Sequence, residues 1–298
     1  MIPASFDYVR PASLAEAVQV LTQGGEEAKV LSGGQSLLPL LRLRLAYPSL
    51  LVDVGRLGEL HGIRDEGGHL HIGATTTHDE VVRSPLVNAE CPLLALATAT
   101  VADPAVRHRG TLGGSLAHAD PAGDLPAVAV ALDMEFVIYS TSGERVVAAR
   151  DFFLDYLETA LGPGEILTGI RVPKLGPGWG YHYEKFHRTA QAWATVGVAA
   201  AVRVSGANGG TRRIEEARVA LTNMGPTPIR ATAVESAIQG TDLPDPHGPP
   251  GTDPVREAAA RADENTSPPS DLHAAPDYRR HLAQVLTHRA LLTAATTP

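Results

Sequence analysis

Two short segments carry the backbone chemistry that stands out first in this chain: Leu31-Ser32-Gly33-Gly34-Gln35-Ser36-Leu37 and Gly110-Thr111-Leu112-Gly113-Gly114-Ser115-Leu116. Paired glycines let a backbone come close to a ligand and adopt positive φ. Successive free N–H groups in such turns make a concave anion site. In the first segment an apolar helix follows, which adds the positive end of its dipole, and Ser36 supplies a hydroxyl. Two such turns together would hold the two phosphates of a dinucleotide without any lysine. A lone Gly-Gly between strand and helix is more often only a turn; two of them, each followed by Ser-Leu, favour ligand binding. The patterns Gly-x-Gly-x-x-Gly and Gly-x-x-x-x-Gly-Lys-[Ser/Thr] are absent, which disfavours a Rossmann domain and a P-loop NTPase.

Other side chains narrow the field. Cys91 is the only cysteine, so the chain cannot form an internal disulfide, a Cys₄ zinc site or a cysteine-ligated iron–sulfur cluster by itself. It adjoins Pro92 and an apolar run, which marks a buried structural thiol. His108, His118 and Asp120 cluster around the second glycine segment, but no tight His-x₃-His pair supports a metal. His118 and Asp120 are expected to order the loop through side-chain hydrogen bonds. A formal charge of −8 argues against a nucleic-acid surface. No run approaches ~18 apolar residues, so no membrane span is expected, and the N-terminus lacks a secretory pattern. A cytoplasmic location is the default.

The elements that must position these groups are legible in outline. Ser13 and Glu16 form a capping box before Leu14, Ala17, Val18 and Leu21, at helical spacing. A strand over 28–31, the first glycine turn, a helix from Ser36 towards Leu45 and a strand over 50–54 complete an α/β module. Thr77 with Glu80 opens a short helix, residues 92–101 read as a helix, and Arg109 to Pro126 reads as ordered loop. Asp124 starts a helix over 125–132. Strands are expected over 135–139, 145–148, 166–172, 181–187, 196–204 and 216–221. Helices follow over 231–238, 254–262 and 278–294, with exposed loops over 241–254 and 265–276. At 298 residues the chain suggests two or three domains, divided near Gly176-Pro177-Gly178, in an α+β arrangement.

The same residues carry a family resemblance. AKVLSGGQSLLPLLRLRLAYPSLLVDVGRL and RGTLGGSLAHADPAGDLPAVAVALD resemble the two FAD-binding segments of molybdenum hydroxylase medium subunits, the group that includes aerobic carbon monoxide dehydrogenase and the flavin domain of xanthine dehydrogenase. FDYVRPASLAEAVQVL is similar to the family's start, and DYRRHLAQVLTHRAL to the end of its C-terminal domain. The resemblance implies a vanillyl-alcohol-oxidase-type FAD-binding fold in two subdomains, 1–56 and 57–177, followed by a C-terminal α+β flavoprotein domain, 178–298. It implies FAD contacts from Lys29 and Leu31 to Leu37 in the first segment, from Ala102, from Thr111 to Ser115 in the second, and from Asp124. Ser115 stands where Asn is frequent, keeping a hydroxyl and losing an amide donor. Leu167 and Lys185 match positions that border the flavin, and Trp193 falls where an aromatic commonly covers the ring. The plain alternatives are strand core for Leu167, a solvated strand lysine for Lys185 and a packing anchor for Trp193.

By that resemblance the chain would be an oxidoreductase subunit with FAD as its cofactor and no catalytic residue of its own. The iron–sulfur clusters and molybdenum cofactor would lie on a small and a large partner subunit, in a dimer of heterotrimers. Electrons would leave through FAD to an external acceptor. The rivals are a self-sufficient FAD oxidoreductase of the same fold and a non-catalytic flavin-binding module.

Overall fold

The computed structural model describes residues 2–206, 212–244 and 253–296. Besides a two-stranded sheet formed by Phe153–Asp155 and Glu158–Thr159, three larger sheets organise the described residues. The first is parallel, with strands in the order Asp7–Val9, Leu50–Asp53, Ala28–Leu31. Helix Leu14–Gly24 connects the first two strands in sequence and buries Ala17, Val18 and Leu21, the i, i+1, i+4 face that the apolar spacing marks. Ser13 Oγ accepts from Glu16 N–H, but the Glu16 carboxylate takes the N–H of Ala12 and not that of Ser13. The capping box is thus displaced by one residue. Thr77 and Glu80 form the complete reciprocal box at helix His78–Arg83.

The second sheet is antiparallel, in the order Ile63–Asp65, His69–Gly73, Ile166–Pro173, Glu135–Ser140, Gly143–Ala148. Helices Pro92–Ala99, Leu112–His118 and Asp124–Ala131 contribute to the core beneath it. All eight residues of Asp124–Ala131 are buried, which is why that helix is apolar all round except for its first residue.

The third sheet, Trp179–Phe186, Val196–Ser205, Arg213–Thr222 and Ile229–Arg230, is antiparallel and covered on both faces. Along its second strand Val196, Val198, Ala200 and Val202 enter the core built with helices Thr232–Ile238, Pro254–Ala259 and Pro276–Thr296. The alternate residues Ala199 and Ala201 enter the core of the second sheet. Two-residue periodicity distributes them, and the small Ala side chains let helix Asp124–Ala131 approach.

Most elements fall within a few residues of their expected places, but one expectation fails. Arg109 to Pro126 is no loop, because Leu112–His118 is helical. Its N-cap is Thr111, whose Oγ1 accepts from Gly114 N–H at 3.1 Å. The segment 265–276 is irregular and mostly exposed, with Pro268 and Ala274 buried. The expected loop over 241–254 lies partly outside the described residues. No described helix is long and apolar enough to cross a membrane.

Candidate functional site: a glycine-turn cleft

Strand Ala28–Leu31 delivers the first glycine turn to the edge of the parallel sheet, and helix Leu37–Leu43 leaves from it. Gly34 has φ +75°, so the turn needs glycine there. Gly33 is needed for a different reason. A Cβ on it would stand 2.8 Å from Gly110 Cα and closer still to the carbonyl oxygen of Arg109. The two glycine segments therefore meet backbone to backbone, and the hydroxyls of Ser32 and Thr111 share a 3.0 Å hydrogen bond across the junction.

The two segments do not contribute equally. Among the described residues the N–H groups of Gly33, Gly34, Gln35 and Ser36 donate to no protein acceptor, leaving an open nest beside a helix start. In the second segment Leu112 N–H donates to Thr76 O, Gly113 N–H to Ala74 O, and Ser115 N–H to Thr111 O. Gly114 N–H is held by its Thr111 cap. A symmetric grip by two sets of amides is thus corrected: the first turn offers free amides, while the second segment is locked into the fold. Gly113 serves packing, since a Cβ there would lie 2.7 Å from Ala74 Cα.

The junction opens onto a cleft of about 740 Å³, within the ~300–1,000 Å³ typical of ligand sites. Lys29, Leu31, Ser32, Gly33, Gly34, Gln35, Ser36, Leu37, Thr111, Gly114 and Ser115 all line it. Ser115 Oγ donates to Leu112 O. Ala102, Leu112, Gly113, Asp124, Leu167, Lys185 and Trp193 do not line this cleft. Leu167 is strand core, Ala102 holds a left-handed φ of 42°, and Trp193 is 55% exposed and so is no packing anchor.

Asp124 and Lys185 form a buried unit. Lys185 Nζ donates to Asp124 Oδ2 at 2.8 Å and to Thr100 O at 3.0 Å, and Tyr183 OH donates to Asp124 Oδ1 at 2.8 Å. Both charged side chains are nearly inaccessible. Burial raises the Asp124 carboxyl's pKa, and the Lys185 ammonium opposes that rise. Lys185 is therefore not a solvated lysine; it ties the third sheet to the start of helix Asp124–Ala131.

Sequence reasoning missed several lining residues. His78 is buried, its Nδ1 has no partner, and burial pushes its pKa down to about 4. Gly162-Pro163-Gly164 forms another wall, with Gly164 at φ +75°; its Gly-Pro-Gly turn chemistry was the available signal. Glu165, also lining, is held by Arg145 and so has a lowered pKa. The histidine cluster separates: His108 sits 3.5 Å from Asp79, while His118 is 4.0 Å from Asp120. Asp120 Oδ1 does order its loop by accepting from Ala122 N–H. Among the described residues no group of three or more His, Cys, Asp or Glu side chains converges on a point. Cys91 is buried and its thiol is pushed up to about 12, mainly by burial.

Comparison with known proteins shows the family to which the chain belongs. Residues 4–175 match the family described as FAD binding domain in molybdopterin dehydrogenase, and 181–294 match the CO dehydrogenase flavoprotein C-terminal domain. The chain belongs to that FAD-binding family. It is 41% identical to the carbon monoxide dehydrogenase medium chain of Hydrogenophaga pseudoflava over 98% of this chain and 97% of that one. The glyceraldehyde dehydrogenase medium chain of Sulfolobus acidocaldarius is 37% identical, with 97% and 98% covered. A solved structure of the Hydrogenophaga pseudoflava carbon monoxide dehydrogenase, lacking the Mo-pyranopterin moiety, superposes with a TM-score of 0.91 at 42% identity over 99% of both chains. The cofactor of this oxidoreductase family is FAD. The residues present fit it: an open amide nest for a diphosphate, the Lys29 ammonium free of protein partners, and the orphaned Nδ1 of buried His78.

Proposed function

We propose that the chain is the FAD-carrying electron-transfer subunit of a molybdenum hydroxylase complex. It takes electrons from iron–sulfur clusters on a small partner subunit, fed by a large molybdopterin subunit, and passes them through FAD to an external acceptor. Bound FAD supplies the redox chemistry; the protein supplies binding, orientation and electrostatics. The carrying observation is the nest of unpaired amides at Gly33 to Ser36, opening on a dinucleotide-sized cleft. The single Cys91 supports placing the clusters on partners, since it cannot ligate one here.

In this reading the turn from Ser32 to Ser36 binds the diphosphate. Ser32 and Thr111 hold the two segments in register, and Lys29, Leu31 and Leu37 flank the nucleotide. Gly114 and Ser115 wall the cleft, with Leu112 and Gly113 beneath them. Asp124, paired with Lys185, fixes the entrance of the third sheet. Ala102, Leu167 and Trp193 do not line the cleft, and only the family resemblance places them around the flavin. The division is 1–56 and 57–177 for FAD binding and 178–298 for the C-terminal domain. The complex is cytoplasmic and assembles as a dimer of heterotrimers.

Native co-purification tests this reading. The chain is expected to emerge with an iron–sulfur and a molybdopterin subunit, and its flavin to be reduced when the complex meets substrate. A lone chain that oxidises a substrate by itself supports the self-sufficient oxidoreductase instead. A flavin that never cycles supports the binding module.

A further inference from the structure

The glycine turn has a second face. There Ser32, Gly33 and Thr111 also wall a cavity of about 250 Å³ that is lined by Arg10, Arg56 and Arg109. Among the described residues none of these three guanidinium groups makes a hydrogen bond or an ion pair. Several arginines elsewhere do hold a carboxylate, among them Arg145, Arg218, Arg230 and Arg279. In a protein of net charge −8, three unpaired arginines at one cavity do not reflect a general excess of base.

Their places in the fold agree with a ligand site. Arg10 directly follows strand Asp7–Val9, and Arg56 lies just beyond strand Leu50–Asp53. These strands are adjacent and parallel, and open sheets with parallel strands bind ligands outside the carboxyl ends of the strands. Arg109 comes from the opposite side, immediately before the second glycine segment. The one carboxylate in the lining, Asp53, is already engaged by the Tyr8 hydroxyl and by Gly55 N–H. No arginine lies within ion-pair distance of it. Guanidinium forks match phosphate oxygens well, and the cavity is smaller than sites for drug-sized molecules.

We infer that this arginine-lined cavity binds a phosphate or diphosphate group, contributed either by FAD reaching past the turn or by a separate phosphate-bearing ligand. The inference does not depend on the cleft across the turn being the flavin site, because its readout is anion binding.

The probe is inorganic pyrophosphate, titrated calorimetrically into the full chain, once loaded with FAD and once flavin-free. Both titrations are repeated with Arg10→Gln/Arg56→Gln and with Arg109→Gln. Each arginine lost is expected to weaken the relevant binding by roughly fivefold. Arg→Lys variants keep the charge but lose the fork, so they are expected to retain part of the binding, which separates charge from folding defects. Pyrophosphate binding to the loaded chain that the Gln variants lose assigns the cavity to a separate ligand. Binding only to the flavin-free chain, with weaker FAD affinity in the Gln variants, assigns it to FAD itself. Pyrophosphate binding that the Gln variants leave unchanged, or no binding in either form, with FAD affinity unchanged in the variants, overturns the inference. A chain that binds pyrophosphate through these arginines yet takes up no flavin would sink the flavin reading and leave this one standing.

Discussion

Replacing Gly33 with Ala adds one methyl group where two backbones already touch. The new Cβ would sit 2.8 Å from Gly110 Cα and nearer still to Arg109 O. Carbon atoms pack best at ~3.5–4.0 Å, so the two glycine segments must part by roughly 1 Å. The obstructing atoms are backbone, and no side chain can swing aside. Overpacking of this kind costs about 1–3 kcal/mol. The nearby Ser32–Thr111 hydroxyl bond would stretch as the segments separate. The cost falls on the arrangement that closes the cleft, so FAD affinity is expected to drop about ten- to hundredfold. Fluorescence titration of the flavin-free protein measures it, with Gly58→Ala as control, since a Cβ there meets nothing within 4 Å. A Gly33→Ala protein that binds FAD as tightly as the parent would refute the claim that close approach of these segments builds the site.

Three other outcomes follow from the buried groups. Lys185→Met leaves Asp124 buried with only the Tyr183 hydroxyl and is expected to cost about 3–5 kcal/mol in urea denaturation at pH 7; adding Asp124→Leu should restore much of it, and a loss near zero in the single variant contradicts the pairing. His78 has its folded pKa pushed down to about 4 from the usual 6.5. The unfolded chain then binds more protons between those values, so this stability is fully present above pH 6.5 and lost as pH falls to 4, by at most about 3 kcal/mol. Subtracting the pH–stability curve of His78→Gln from that of the parent should expose this slope, and a flat difference would contradict it. Cys91, with its thiol pushed up to about 12, should resist alkylation at pH 8 in the native state and react once the chain is denatured; rapid native labelling would show that the thiol is accessible.

Much of this architecture is written in local patterns. The third sheet was readable because both faces are covered, giving Val196 to Val202 a continuous apolar run. Helix Leu14–Gly24 was readable from its cap and its apolar face. Helix Leu112–His118 was not, because Gly113, Gly114 and Ser115 form helices poorly when considered alone. Its glycine at 113 answers a long-range demand, the approach of Ala74, which no local window contains. The leading cap Thr111 and the Leu112/Leu116 spacing were the overlooked signals. The first glycine segment announced itself correctly as a strand–turn–helix junction. The burial of Lys185 against Asp124 joins residues 61 positions apart, and His78 and the three unpaired arginines acquire meaning only once the fold gathers them.

The most direct test is the absorbance spectrum and metal content of the isolated full chain. The account predicts a yellow protein carrying about one FAD per chain, removable and restorable, with neither iron nor molybdenum. A colourless chain that cannot be reconstituted with FAD, despite native secondary structure, would contradict it.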